Sequence, residues 1–276
     1  LKKRSYLLIA ALLFSATPLS AGLRYEFTKS VRTEETSTTT NLVARAVVEG
    51  EMSRLDVLAG NRYEPGSYII THGDRRIYVV DPAKKSYVEY TSNQNNPINP
   101  ERVKIIDPKV TFTEIDEATP TLVAGYPTRH FRLKLQYDIT VLVGTITIRQ
   151  NVETVIDKWM TTAFDSVISD YRDNLEDFKT GSPAVDTLLE AEATRFKGLA
   201  LRERVEIVTR IEKKSRNVNN NLPSTRKHTS EMVVTKIEQV QVSPNYFVIP
   251  VEYTKGSADK APSTTTQYLT MQPDRQ

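Results

Sequence analysis

Between Phe131 and Ile139 the chain alternates with period two. Phe131, Leu133, Leu135, Tyr137 and Ile139 fall on one side; Arg132, Lys134, Gln136 and Asp138 fall on the other. Strand side chains point alternately to opposite faces, so this spacing commits the segment to an antiparallel sheet with one apolar and one wet face. Val141 and Val143 continue the apolar side, and Gly144 shifts the phase to Ile146 and Ile148, as a bulge or turn does. The pattern returns in Leu199, Leu201, Val205, Ile207 and Ile211 against Arg202, Arg204 and Glu206, then in Met232, Val234, Val240 and Val242. Upstream, residues 42–58 read as a hairpin bending at Glu49-Gly50. Tyr68–Thr71, Arg76–Val80 and Tyr87–Tyr90 are short strands separated by the turn signals His72-Gly73-Asp74 and Asp81-Pro82-Ala83-Lys84. Residues 91–100 form a polar loop rich in Asn and Pro.

One stretch departs from this pattern. Phe164, Val167, Ile168, Tyr171, Leu175 and Phe178 recur at helical spacing, and Gly181 can end that helix. Ser182-Pro183 then supplies a cap and a first-turn proline for a second helix, with Val185, Leu188, Leu189, Ala193 and Phe196 along one stripe and Gly198 as its stop. A helical hairpin must bury such a stripe, and the sheet is the one large apolar surface open to it. The expected fold is therefore mainly β (α+β): a single β-rich domain over residues 22–254 with a helical insertion at 163–197. The Ser-, Thr-, Pro- and Gln-rich residues 255–276 read as a disordered tail.

Residues 1–21 read as a secretory signal peptide. Lys2, Lys3 and Arg4 precede an apolar run too short to span a bilayer, and a small-residue site ends at Ala21. This predicts a periplasmic or secreted protein. Gly22 stands where a lipid-bearing cysteine would follow the cut, and the chain has no cysteine at all. Disulfides, thiolate metal sites and cysteine nucleophiles are thereby excluded, and no transmembrane anchor is expected in the mature chain. The formal charge of +3 comes from 37 basic and 34 acidic residues. The signal segment takes three of those basic residues and no acidic ones, so the mature chain balances and gives no support for nucleic-acid binding.

Catalytic chemistry is poorly represented. His72, His130 and His228 have no partner at metal-ligand spacing, and no serine-nucleophile or zinc-helix motif is present. His130 alternates with Phe131 and so belongs to the polar face, in a solvated or structural role. The carboxylate pairs Glu34-Glu35, Asp116-Glu117 and Glu190-x-Glu192 do not share a face in the way glycoside hydrolysis requires. No Gly-rich phosphate loop follows a strand. The expectation is a non-enzymatic protein with no catalytic residues, no metal and no cofactor.

Five segments resemble, in order, those of the bacterial domain of unknown function 4412. They are residues 77–87, with Asp81-Pro82 and Lys84-Lys85-Ser86-Tyr87; 123–131, with Gly125-Tyr126; 157–162, around Trp159; 197–202, with Gly198 and with Ala200 at a frequent proline position; and Val234–Ile237 followed by Phe247-x-x-Pro250-x-x-Tyr253. That family is similar to the periplasmic lipoprotein-carrier (LolA/LolB-like) superfamily. The resemblance implies a LolA-like curled antiparallel sheet, or half-open barrel, closed by a helical hairpin lid around an apolar groove.

The residues that would line such a groove are Phe131, Leu133, Leu135 and Trp159 from the sheet, with Phe164, Val167, Tyr171, Leu188 and Phe196 from the helices. Two readings stay open. Either these side chains form a filled core, or some of them line a cavity for a lipid, an acyl chain or a lipidated protein. The competing function is that of a cell-envelope interaction or scaffold protein, holding a protein partner by a sheet edge or loop with no small-molecule ligand.

Overall fold

The computed structural model describes residues 21–34, 38–61, 63–73, 76–91, 103–143, 146–167, 182–193, 195–213 and 225–256. The alternating segments become β1 (Ala21–Thr33), β2 (Thr38–Glu49), β3 (Met52–Gly60), β4 (Tyr68–Thr71), β5 (Arg76–Asp81), β6 (Ser86–Thr91) and β7 (Val103–Ile115). A small hairpin follows, β8 (Leu122–Val123) and β9 (Tyr126–Pro127). Then come β10 (Arg129–Val143), β11 (Ile146–Thr161), the helix α1 (Pro183–Ala193), β12 (Leu199–Lys213), β13 (Thr225–Gln241) and β14 (Thr254–Lys255). Twelve strands form one sheet in the order β14-β6-β5-β4-β3-β2-β1-β13-β12-β11-β10-β7. It is large and curled and does not close into a barrel.

Local chemistry sets the turns. Glu49 pairs with Met52, and Gly50 between them takes the left-handed φ of 56° that a two-residue hairpin favours. Asp81 Oδ1 accepts the Lys84 backbone N–H at 3.1 Å, fixing the turn into β6. Val143 pairs directly with Ile146, so the chain reverses between β10 and β11, the turn of the two alternatives. The chain returns to the sheet after α1 through Gly198, at φ 93°. A Cβ there would lie 2.2 Å from the Thr161 carbonyl oxygen, so no other residue fits without backbone movement.

Pairing register defines the faces. One row runs Phe112, Leu133, Ile156, Val205, Ser230, Val31 and Thr40 across seven strands. Its neighbour runs Phe131, Lys158, Glu203, Met232, Lys29 and Leu42. The same face continues as Leu23, Tyr25 and Phe27 beside Ala44 and Ala46. The opposite face carries ion pairs between strands, among them Arg132–Asp157, Lys134–Glu153, Arg202–Glu231 and Arg45–Glu26. The expected division into a greasy and a wet face therefore holds over most of the sheet.

At β4 to β6 the wet face also turns apolar. Tyr68, Ile70, Tyr78 and Val80 are buried there with Val47 beneath Phe247 of the closing segment. Arg54 fastens that segment. Its guanidinium lies 3.7 Å from the Tyr68 ring centroid and 4.6 Å from that of Tyr246, and it donates to Asp56 and to the Tyr246 carbonyl. The Tyr246 hydroxyl donates to Asp56 at 2.6 Å. Burial, and then that carboxylate, push the phenol up to about 12. Tyr246→Phe keeps the ring and loses only the hydrogen bond, so a cost of about 1–2 kcal/mol in urea unfolding is expected, with faster proteolysis between residues 243 and 256.

Some expectations are corrected. The second helix ends at Ala193, so Phe196 lies beyond it in the connection to β12 rather than on its stripe. Of the first helix, residues 163–167 are a turn, with hydrogen bonds from Asp165 to Thr162 and from Val167 to Phe164. The remainder, with Tyr171, lies outside the described residues, as do residues 1–20, the polar loop from 92 and residues 257–276. Lys255, expected to open the tail, pairs with Tyr87 in β14.

At the free edge, β7 is interrupted. Its register against β10 shifts between Gln136 and Asp138, opposite Asp107 at φ 48° and Pro108.

Candidate functional site

The apolar face is covered beside β7 by α1. The Ser182 carbonyl accepts the Asp186 N–H at 2.9 Å in the first turn. Val185 and Leu189, one turn apart, are buried against Leu133, Leu135, Ile156 and Val205. Phe112, Phe131 and Phe196 form an aromatic trio at the margin, with centroids 5.1–6.1 Å apart. Tyr137 completes the surround, and burial pushes its phenol up to about 12. Within this greasy row sits an ion pair. Lys158, only 2% exposed, places Nζ 3.1 Å from Glu203 and 5.4 Å from the Phe196 ring centroid.

The expected groove residues divide. Phe131, Leu133, Leu135 and Phe196 come together under and beside α1. Phe164 and Val167 belong to a second cluster with Leu23, Phe27, Leu201 and Val234, where Phe164 meets Tyr126 of the β8–β9 hairpin at 4.8 Å. Leu188 faces outward and is 39% exposed, because the buried stripe of α1 is the narrow one of Val185 and Leu189. Trp159 divides its contacts: it pairs with His130 and Arg202 on the polar side of the ladder, yet it packs against the same apolar cluster as Phe164.

Trp159 there belongs to a polar constellation that spacing alone does not show. His130 is buried, with Nδ1 3.0 Å from Glu117 Oε1 and Nε2 2.9 Å from Asp157 Oδ1. Arg132 grips Asp157 with two hydrogen bonds of 2.8 and 3.0 Å. The His130 ring stacks on Trp159 at 4.2 Å and 13°, and the Arg202 guanidinium lies 4.6 Å from the same indole. Neighbouring strands lie about 4.8 Å apart, which places opposed flat side chains at stacking distance. The Thr121 hydroxyl donates to Glu117 at 2.7 Å, and this, with His130, holds the Glu117 carboxyl below its usual range against its partial burial. Burial would raise Asp157, but the Arg132 and His130 hydrogen bonds outweigh it and the carboxyl is lowered. The sequence places His130 and Arg132 on this face; Glu117 reaches it from a loop that no periodicity marks.

The two carboxylates sit on opposite ring nitrogens and cannot converge on one cation, and no metal-binding cluster occurs among the described residues. His72 leans on Tyr78, and His228 Nδ1 lies 3.2 Å from the Thr33 hydroxyl. A depression of about 370 Å³ lies at Thr28, Ser30, Asn41, Val43, Glu231 and Val233, on the wet side of β2, β1 and β13 and away from α1. No helix among the described residues is long and apolar enough to cross a membrane.

No protein-family model matches the sequence, and no curated protein does. The five-segment resemblance thus has no family match behind it. Several solved structures are similar, and two of them cover most of the chain. One is an uncharacterized conserved protein from Thermus thermophilus, at 7% identity over 86% of this chain and 91% of that one, with a TM-score of 0.35. The other is a putative outer membrane lipoprotein-sorting protein domain from Vibrio parahaemolyticus, at 9% identity over 82% of this chain and 88% of that one, with a TM-score of 0.30. At these values the site has to be read from its own geometry.

Proposed function

We propose that this is a non-catalytic binding or carrier-like protein of the periplasm, whose apolar sheet face takes the acyl chain of a lipid or of a lipidated protein. The observation that carries this reading is a wide greasy sheet face on which α1 rests by a narrow stripe. Among the described residues of the eleven-residue helix, only Val185 and Leu189 are anchored deeply on the face between β7 and β12. An acyl chain that displaced them would gain about 0.8 kcal/mol per buried methylene, enough for affinity without any reactive group. The test is titration of the purified chain with a fluorescent fatty acid, paired with native mass spectrometry of protein taken from envelope. Saturable one-to-one binding and a bound lipid mass are expected. Non-saturable binding together with only empty protein would overturn the reading.

The tight burial of Leu133, Ile156 and Val185 favours a second reading, a filled core in a protein-binding scaffold. A stoichiometric protein partner recovered without lipid would select it.

A further inference from the structure

We infer that the head of the acyl ligand is the carboxylate of a free fatty acid, and that Lys158 takes it in exchange for Glu203; this rests on the acyl reading of the same face. Lys158 stands on the greasy side of β11 between Ile156 and Met160, with Phe131 opposite on β10 and Glu203 opposite on β12. Ile156, Met160 and Phe131 are each at most 4% exposed. A strand lysine ordinarily carries its ammonium out to water along a flexible stem. This one does not. Its side chain is 3% exposed, with Nζ 3.1 Å from Glu203 Oε2 and 5.4 Å from the Phe196 ring centroid. An ion pair buried among apolar side chains adds little to stability, because desolvation offsets the attraction. A methionine would fill the same space without that cost, so stability is a poor reason for a lysine here.

The pair is asymmetric. The Glu203 side chain is 19% exposed against 3% for Lys158, so the carboxylate borders water and the ammonium does not. Glu203 can turn outward and be rehydrated, whereas a buried ammonium left without an anion carries its full desolvation cost. An incoming carboxylate removes that cost by taking the vacated place, and the exchange leaves the charge of the face unchanged. The roof suits the same event. Phe196, the ring beside the ammonium, follows α1 in the chain, and Val185 and Leu189 are the anchors of that helix. A chain that displaces those anchors therefore uncovers Lys158. The chemistry of the head follows. An acyl chain held as an ester or amide, as in a phospholipid or a lipidated protein, has no charge at its first carbon and offers nothing in exchange for Glu203. A free acid does.

Binding of a pyrene-labelled long-chain fatty acid and of its methyl ester to the full chain tests this at about pH 8, where the acid is ionised. The ester is the more apolar of the two, so a face without an anchor would favour it. Wild type should instead bind the acid about tenfold or more tightly than the ester. In Lys158→Met that ratio should fall to about one or below, and the variant should unfold in urea no more readily than wild type. Glu203→Gln removes the competing carboxylate, so the ratio of acid to ester affinity should rise roughly fivefold or more. A purely structural pair would move both ligands alike and leave the ratio fixed in both variants. Equal affinities of wild type for acid and ester would overturn the inference and leave the acyl reading standing, whereas no saturable binding of either would remove both. A ratio unchanged in Lys158→Met, or lowered in Glu203→Gln, would also overturn it. The comparison of acid with ester needs no variant, so it decides the matter even if Glu203→Gln fails to fold.

Discussion

Leu133→Ala is expected to destabilise the protein by about 3 kcal/mol, read as a lower urea midpoint with an unchanged slope. The side chain is 1% exposed and meets Ile156 on β11 and the helix residues Val185 and Leu189. Truncation removes buried methyl groups and leaves a space that the surrounding strands, held by their ladders, cannot collapse to fill. Leu188→Ala is the matched control: Leu188 shares the helix but faces water, so its replacement should fall within about 0.5 kcal/mol of wild type. Equal costs for the two variants would mean that α1 is not packed as described. The pair also bears on ligand binding. A cavity beneath α1 that admits an acyl chain more tightly than the wild type does would place the binding face there.

Asp157→Asn is the second large effect, expected at about 3 kcal/mol. The carboxylate is 6% exposed and holds both Arg132 and His130, and an amide of the same shape replaces neither contact fully. Its sign with pH is distinctive. Asp157 and Glu117 are held below their unfolded values, so the stability they contribute is present above the usual carboxylate range and is lost as pH falls through their lowered values. The asparagine variant should therefore converge on wild type as pH falls below the usual carboxylate range, measured by thermal unfolding across pH. A gap that persists unchanged into strong acid would show that the charge is not what matters.

The division between what can and cannot be read from the sequence has a physical basis. The strand of Phe131 to Ile139, the bend at Gly50 and the turn at Asp81-Pro82 are local, each set by neighbours within a few residues. β11 defeats the same logic because its hydropathy is inverted at one step: the register puts Lys158 on the greasy face and Trp159 on the wet one. For Trp159 both guides hold in part: phase sets its side of the ladder, and its ring still packs against the apolar cluster around Phe164. Lys158 survives inside because Glu203 stands opposite on the next strand, a partner 45 positions away. Glu117 and Tyr246 are similarly invisible, since each acts from a loop on a strand distant in sequence. Phe196 does join Phe131, but from a connection beyond a helix that stops three residues earlier.

An unclosed sheet of this size has two ends, and each could act as a template for another copy. Edge-to-edge growth needs a straight run of amides in register. At one end the kink of Asp107 and Pro108 breaks β7 near its middle, Pro108 withholds a donor, and Lys104 and Lys109 bring exposed charge to the rim. At the other, β14 lies along only the first two residues of β6. The β7 rim is thus a poor template for edge-to-edge growth. Straightening that rim, for instance by replacing Pro108, would trade this protection for self-assembly.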